Sequence, residues 1–251
     1  ETNIIELVDI VKVFPGVVAN DHVNFSLKAG EIHALLGENG AGKTTLMNIL
    51  YGIYRMDSGK IKVDGREVQI RSPRDAIRLG IGMVHQNFKL IPAHTVTENV
   101  ILGSDRNRFI IDVERAASEI RSLAANFGLN VNPLEEVWKL SMGERQRVEI
   151  LKLLYRNVRV MIFDEPTTVL TPQEKNELFH SLKEMCSKGK SIIFITHKLD
   201  EVFEISDRVT VLRRGKNVAT KATRETSRVE LANLMIGRPV VFEYVKNPIK
   251  P

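Results

Sequence analysis

One nine-residue stretch limits what this chain can fold into more than any other. Residues 37–45 read GENGAGKTT and match the phosphate-binding loop pattern G-x-x-x-x-G-K-[ST]. An apolar segment, 31–36, precedes the loop, and residues 46–51 have the character of a helix start. Glycines let backbone N–H groups turn toward an anion, and a helix N-terminus adds unpaired donors. A glycine-rich turn that binds nothing is the alternative, but the motif has the strand–loop–helix context that it requires.

The loop predicts a nucleoside triphosphate site that also holds Mg²⁺. Lys43 can reach the β and γ phosphates, and the Thr44 hydroxyl can bind the metal ion. The predicted nucleotide contacts from this loop are Gly37, Glu38, Asn39, Gly40, Ala41, Gly42, Lys43, Thr44 and Thr45.

Size and charge exclude several other classes of protein. A chain of 251 residues suits one large α/β domain, or a core with a smaller subdomain. No apolar run reaches the roughly 18–20 residues of a membrane span, and no signal segment is visible. The net charge is +5, but positive and negative residues are interspersed, which favours a mixed solvated surface over a nucleic-acid or anionic membrane surface. With one cysteine, the chain forms no internal disulfide, which suits a reducing cytoplasm.

The order of apolar and polar segments predicts an α/β fold. We expect a P-loop NTPase core, a mostly parallel sheet flanked by helices, with an N-terminal antiparallel β subdomain and an inserted α-helical subdomain. The expected divisions within one cassette of residues 1–240 are a core of 1–87 and 158–220, a helical subdomain of about 88–157, a C-terminal helix of about 221–236, and a tail of 237–251.

Polar side chains follow three apolar strands. Asp164 and Glu165 end one strand, and Gln86 and His197 end two others. Because parallel strands place their carboxyl ends at one edge of a sheet, these side chains are predicted to share a crevice. Asp164 is the expected Mg²⁺ partner, with a buried structural aspartate as the alternative. Glu165 is placed to orient a water at the γ-phosphate, while Gln86 and His197 taken singly are also compatible with polar surface residues.

One aromatic residue is a candidate for stacking on a base. Phe14 lies 23 residues before Gly37 and could offer a flat surface to the nucleotide. A half-buried core aromatic explains the same residue equally well.

A second motif indicates a particular family of nucleotide-binding proteins. Residues 140–148, LSMGERQRV, resemble the Leu-Ser-Gly-Gly-Gln signature followed by Arg-Gln-Arg, at the start of a helix before the Asp164–Glu165 strand. In this order with the phosphate loop, residues 4–240 resemble the nucleotide-binding cassette of an ATP-binding cassette (ABC) transporter.

The resemblance implies a role for each candidate residue. It makes Phe14 the adenine-stacking aromatic, Glu165 the general base and His197 the switch histidine at the γ-phosphate. Gln86 becomes the Q-loop residue, which also serves the metal together with Thr44 and Asp164. The signature residues implied to contact the ATP of an opposing cassette are Ser141, Gly143 and Glu144.

The resemblance also implies partners. Two cassettes close face to face around ATP and Mg²⁺, and hydrolysis reopens them, so ATP shifts a two-state equilibrium. Contact with transmembrane permease subunits is implied near Gln86 and on to about Gly103. An importer of this kind lies peripherally on the cytoplasmic face of the cell membrane and works with an extracellular or periplasmic solute-binding protein through its permease. Nucleic acid is not an expected partner.

Three positions depart from the family pattern. Met142 stands in place of the first signature glycine, Glu144 in place of the glutamine, and Thr171 in place of the aspartate that ends the D-loop. Slow hydrolysis at the composite site that uses these residues is therefore a hypothesis.

The residues within the motifs also indicate a subfamily. Residues 14–20, 37–45, 85–88 and 165–172 resemble bacterial importer ATPases for simple sugars and nucleosides, with the nucleoside type nearest. Those ATPases usually carry two cassettes in one chain. This chain is then similar to the N-terminal cassette, and the tail 237–251 to the start of a linker.

Two other functions stay open. A soluble ABC ATPase that acts on nucleic acid or ribosomes would carry zinc-binding cysteines, a long coiled coil or a basic arm, and the sequence shows none of these features. A cassette that binds ATP as a clamp without turnover is disfavoured by the intact set of Lys43, Asp164, Glu165 and His197.

Overall fold

The computed structural model describes residues 2–104 and 112–238, and the tail predicted for 237–251 lies outside them from residue 239 onward. The strands are β1 Asn3–Phe14, β2 Val17–Lys28, β3 Ile32–Leu36, β4 Ser58–Val63, β5 Arg66–Val68, β6 Ile81–Val84, β7 Val160–Asp164, β8 Ser191–Thr196, β9 Arg208–Arg213 and β10 Lys216–Ala222. The helices are α1 Lys43–Leu50, α2 Pro73–Arg78, α3 Val96–Ile101, α4 Val113–Asn126, α5 Met142–Tyr155, α6 Pro172–Ser187, α7 Leu199–Ile205 and α8 Arg228–Ile236.

The N-terminal strands form an antiparallel sheet of their own. Its strand order is β2-β1-β4-β5, with the β1–β2 hairpin turning at Pro15–Gly16 and the β4–β5 hairpin at Asp64–Gly65. Each turn contains a glycine with positive φ, a conformation that glycine adopts without steric cost.

The second sheet carries the strand ends that were predicted to meet. Its order is β10-β9-β3-β8-β7-β6, and the neighbours from β9 to β6 pair in parallel. Strands β3, β6, β7 and β8 are buried along their whole length, which explains their nearly continuous apolar sequences. The carboxyl ends of these four strands therefore lie side by side at one edge.

Helices cover this sheet and also form a separate layer between β6 and β7. Helix α5 contacts α3 and α4, and a shared apolar cluster joins this layer to the sheet through residues such as Phe163, Leu151 and Ile120. Helix α3 begins with a capping box formed by Thr95 and Glu98. In the described residues no helix is both long and apolar enough to cross a bilayer.

The predicted fold class is confirmed. An antiparallel N-terminal sheet lies beside a mostly parallel sheet with helices packed around it, and a helical segment is inserted before β7. The exact divisions between the subdomains stay a prediction.

Candidate nucleotide site

The phosphate loop lies between β3 and α1 and is held from the antiparallel sheet. Gly42 has a φ of 97°, and a Cβ atom there would lie 2.2 Å from the carbonyl oxygen of Ala19. The side-chain amide of Asn20, which is fully buried in β2, donates to the carbonyl oxygen of Gly42 at 3.1 Å. Glycine is thus required at position 42 both for its backbone conformation and for the close approach of β2.

The loop delivers the start of α1 without a cap. Within the described residues no side chain accepts a hydrogen bond from the first turn of α1, and no acidic residue lies in that turn. The first N–H groups of a helix lack partners within the helix, and its dipole makes that end partly positive. The start of α1 therefore offers its donors to an anion that the protein itself does not supply.

Lys43 adds a cation to the same place. Its Nζ donates to the carbonyl oxygens of Gly37 and Glu38 at 2.7 and 2.9 Å, which folds the ammonium group back over the loop. Burial lowers the pKa of Lys43, while the nearby carboxylates of Glu165 and Asp164 act in the opposite direction. A bound phosphate would add negative charge beside this buried ammonium group and favour its protonated form.

Thr44 and Asp164 form an oxygen-rich pair that suits Mg²⁺. The Thr44 hydroxyl donates to Oδ1 of Asp164 at 3.2 Å, and burial raises the pKa of this aspartate. In the described residues no group of three or more His, Cys, Asp and Glu side chains could hold a metal alone. Mg²⁺ does not need such a group, because it is usually held by one or two protein oxygens together with substrate phosphates and water. The donors present therefore fit Mg²⁺.

Glu165 and His197 meet at the ends of β7 and β8. Nδ1 of His197 lies 3.1 Å from Oε1 of Glu165, a distance at which the ring N–H donates to the carboxylate. Glu165 has a φ of 46°, which is unusual for a residue other than glycine. Its N–H donates to the carbonyl oxygen of Ile195, and its own carbonyl oxygen accepts the Thr168 hydroxyl. These contacts hold the carboxylate at a strained turn, a feature often found at functional sites.

A cavity of 580 Å³ collects most of the predicted site residues. Phe14 forms one wall, and its ring centroid lies 5.3 Å from that of Tyr54. His197 lies on an adjoining cavity, and its contact with Glu165 joins the two. The predicted residues that line the first cavity are Phe14, Asn39, Gly40, Gly42, Lys43, Thr44, Thr45, Gln86, Asp164 and Glu165.

The signature residues lie apart from this cavity. Ser141 is the N-cap of α5, and the Glu144 carboxylate accepts the Ser141 N–H at 2.8 Å, which completes a capping box. Oε1 of Glu174, on α6, accepts the Ser141 hydroxyl at 3.2 Å and the Gly143 N–H at 3.1 Å. Ser141, Gly143 and Glu144 do not line the cavity beside the phosphate loop.

Two of the positions that depart from the family pattern, Glu144 and Thr171, belong to capping boxes, and the third, Met142, is exposed. The Met142 side chain is 38% exposed in the first turn of α5, so it points away from the packed interior. Thr171 is the N-cap of α6 and forms a capping box with Glu174. Oε2 of Glu174 accepts both the N–H and the hydroxyl of Thr171.

Sequence reasoning missed several side chains that hold the site together. Gln146 on α5 is buried and donates to the carbonyl oxygen of Pro166, next to Glu165. Asn20 and Glu174 join segments that are 22 and at least 31 residues apart. The pattern Thr171-x-x-Glu174 indicates a capping box. No sequence signal indicates the distant partners, which are Gly42 for Asn20, Pro166 for Gln146 and Gly143 for Glu174.

Comparison with known proteins identifies the family. The family model described as "ABC transporter" matches residues 20–168, which include the phosphate loop, the signature and the Asp164–Glu165 strand end. The chain belongs to this family. The predicted resemblance is confirmed.

Relatives of this chain are import ATP-binding proteins. The guanosine import ATP-binding protein of Bacillus subtilis is 52% identical over 99% of the chain and 49% of that protein. The nucleoside import ATP-binding protein of Lactococcus lactis is 51% identical, over 99% and 49%. The glucose import ATP-binding protein of Haloferax volcanii is 49% identical, over 97% and 50%. The chain spans about half the length of these relatives.

Solved structures of ABC cassettes share the fold. An ABC transporter cassette of Clostridium perfringens superimposes with a TM-score of 0.79, at 28% identity over 94% of this chain and 97% of the other. The ADP conformation of another ATP-binding cassette gives a TM-score of 0.81 at 24% identity, over 94% and 96%, and shows the fold alone.

Proposed function

We propose that this cassette is the motor of an importer: it binds ATP with Mg²⁺ and hydrolyses the bond between the β- and γ-phosphates. The observation that carries the proposal is the Glu165–His197 contact at the edge of the cavity lined by Lys43 and the Thr44–Asp164 pair. A general base next to a phosphate cradle is the arrangement that phosphoryl transfer to water requires.

Each side chain has a defined task in this proposal. Lys43 and the open N-terminus of α1 bind the phosphates, and Phe14 stacks on the adenine. Glu165 accepts a proton from the attacking water, and His197 orients Glu165 and faces the γ-phosphate. Mg²⁺, held by Thr44, Asp164 and Gln86, would neutralise negative charge on the phosphates.

A second cassette completes the site. Ser141 and Gly143 hold their donors at the start of α5, away from the cavity of their own chain, where Glu174 accepts them in this structure. In the proposed assembly these donors turn to the nucleotide held by the second cassette. A similar cassette, 25% identical over 88% of this chain with a TM-score of 0.76, has been solved as a dimer. The relatives have about twice the length of this chain, which supports a second cassette in the same polypeptide, reached through residues 237–251.

The proposed cargo is a nucleoside or a simple sugar. The printed names of the relatives include guanosine, nucleoside, glucose and ribose import. We infer a peripheral position on the cytoplasmic face of the membrane and an assembly with permease subunits fed by a solute-binding protein. We also propose, from the family resemblance, that the permease contact lies near Gln86 and the segment through about Gly103.

Glu165→Gln tests hydrolysis. Because the amide cannot accept the proton of water, we expect ATPase activity to fall at least about 100-fold while ATP binding is kept. Steady-state phosphate release and equilibrium binding of a fluorescent ATP analogue measure the two quantities. Glu119→Gln, an exposed change on α4, is the matched control.

The same assay separates the alternatives. A non-hydrolytic clamp predicts ATP binding without turnover in the unaltered protein. A soluble ATPase that acts on nucleic acid predicts turnover stimulated by RNA or DNA and no permease among the copurifying proteins. Residual activity above about one tenth in Glu165→Gln would remove this glutamate from the role of base.

A further inference from the structure

A buried carboxylate lies next to the catalytic loops without lining the phosphate cavity. Glu201 is on the first turn of α7 and only 3% of it is exposed. Its Oε1 accepts the Thr167 hydroxyl at 2.5 Å, and its Oε2 accepts the Thr196 hydroxyl at 2.6 Å. Both threonines are themselves buried, at 5% and 2% exposure, so water does not substitute easily for these partners.

The two threonines belong to the two loops that carry the proposed base and its histidine. Thr167 lies two residues after Glu165, on the loop that follows β7. Thr196 is the last residue of β8, directly before His197. The single carboxylate of Glu201 therefore joins both loops.

Stability alone does not call for a carboxylate at this position. A buried carboxylate loses its hydration, and hydrogen bonds only partly offset that cost. Lys198 supplies the nearest positive charge, with its Nζ 3.3 Å from Oε1 of Glu201, but this lysine is 43% exposed in its side chain and its attraction is weakened by solvent. An apolar residue of similar volume would often cost less in such a place.

Geometry gives the carboxylate a purpose. The backbone of Glu165 is in a left-handed conformation and is fixed to the end of β8 through the carbonyl oxygen of Ile195. Gln146 fixes the next carbonyl group, that of Pro166. Glu201 adds the link between the far side of this loop and the residue before His197. An ionised carboxylate only accepts, so it fixes the direction of both hydroxyl donors.

We propose that Glu201 is a positioning residue, which sets the distance and orientation between Glu165 and His197 by accepting the hydroxyls of Thr167 and Thr196. The inference rests on the proposed ATPase function. Glu201 acts through the two threonines and does not itself touch the nucleotide.

Glu201→Gln is the first test, made in the natural polypeptide and assayed with the subunits that copurify with it. The amide group replaces one acceptor with a donor, so one of the two threonine hydroxyls can no longer donate to residue 201 and has to accept from it in competition with Lys198. We expect kcat for ATP hydrolysis to fall about 10- to 100-fold, as small displacements of catalytic groups do, while ATP binding changes less than about threefold. Glu204→Gln, on the same helix and paired with Lys175 at the surface, should leave both quantities unchanged.

Isosteric changes of the threonines keep the test valid if Glu201→Gln does not fold. Thr167→Val and Thr196→Val each remove one hydroxyl, and each should reduce kcat without a matching change in ATP binding. Thr167→Ser and Thr196→Ser keep the hydroxyl and should restore most of the rate. Adding Glu201→Gln to Thr167→Val should cost less than the two single changes together, because coupled residues are not additive.

The outcomes separate this inference from the proposed function. If Glu165→Gln is inactive but Glu201→Gln and both valine variants keep a kcat within about twofold of the unaltered protein, the positioning role is wrong and the ATPase function stands. Serine variants that lose as much rate as the valine variants would also overturn it. If the unaltered protein hydrolyses no ATP, the proposed function itself fails.

Discussion

Two helices in this chain begin at functional motifs, and their N-termini are satisfied in opposite ways. Helix α1 begins at the phosphate loop with no side-chain cap and no acidic residue in its first turn. Helix α5 begins at the signature with a full capping box from Ser141 and Glu144. Glu174 adds a second carboxylate, which accepts the Ser141 hydroxyl and the Gly143 N–H.

Both helix N-termini attract negative charge, and they differ in whether a ligand or the chain itself supplies that charge. At α1 the protein supplies none, and the donors are open to a ligand. At α5 the chain supplies two carboxylates. A phosphate from a partner cassette would have to replace Glu174 on Ser141 and Gly143 before it could bind there.

The largest expected effect comes from removing the cation at the uncapped N-terminus of α1. Lys43→Ala removes the only side-chain ammonium that the described residues place on the phosphate loop carbonyls, where Nζ contacts Gly37 and Glu38. We expect ATP hydrolysis to fall by about two orders of magnitude or more, because a preorganised cation at the phosphates is lost. Phosphate release measures this, with Lys60→Ala as a control at an exposed lysine of β4. A loss below tenfold would contradict the role given to the phosphate loop.

A smaller effect is expected from removing the negative charge of Glu174 at the capped N-terminus of α5. Glu174→Gln keeps an oxygen acceptor for Ser141 and Gly143 but removes the negative charge that repels a phosphate. In a Glu165→Gln background of the separate 251-residue cassette, the ATP concentration for half-maximal association of two cassettes should fall about two- to fivefold, by light scattering or gel filtration.

Glu177→Gln gives that experiment a matched control. Glu177 is one turn further along α6 and pairs with Arg147 of α5, so this change also removes a negative charge between the same two helices. It does not touch Ser141 or Gly143. Equal shifts in dimer formation for both variants would show that net charge alone is responsible.

The smallest effect is a pH-dependent change in stability. Hydrogen bonds from the backbone N–H groups of Thr171 and Gly143 hold the pKa of Glu174 below its ordinary value. A lowered carboxylate pKa contributes stability above the ordinary value, near about 4.3, and this contribution is lost as pH falls through the lowered pKa. The melting temperature of Glu174→Gln should therefore lie about 1–2 °C below that of the unaltered protein at pH 7, with a shrinking difference below about pH 4.

Calorimetry or fluorescence melts across this range measure the difference. Glu174 is only half-buried, so salt should reduce the effect. A gap in melting temperature that stays constant from neutral to acidic pH would assign the loss to packing between α5 and α6.

The parts of the site that sequence could predict are local. The phosphate loop and the polar residues at strand ends each depend on a few neighbouring residues, and the structure has these elements where they were expected. The caps at Thr95 and Ser72 depend on neighbouring residues in the same way. The sheet edge that gathers Gln86, Asp164 and His197 followed from one rule about parallel strands.

The remaining features depend on contacts between distant segments. Strand order in the sheet is set by pairings such as β3 with β8, which no local pattern encodes. No local pattern points to Glu201, because its partner Thr167 lies 34 residues earlier in the chain. The placement of Phe14 against Tyr54 likewise needed the folded hairpin.

The central position of β3 has a consequence for the newly made chain. β3 carries the phosphate loop, yet its hydrogen-bonded neighbours are β8 and β9, and its residue Ile32 pairs with Ile192. At about 5–20 residues per second, a ribosome needs roughly 10 to 30 seconds to make the residues that separate them. During that interval β3 lacks both of its hydrogen-bonded neighbours and exposes apolar residues such as Leu35 and Leu36. The nucleotide motif is therefore translated early, but the sheet edge at which it lies is completed late.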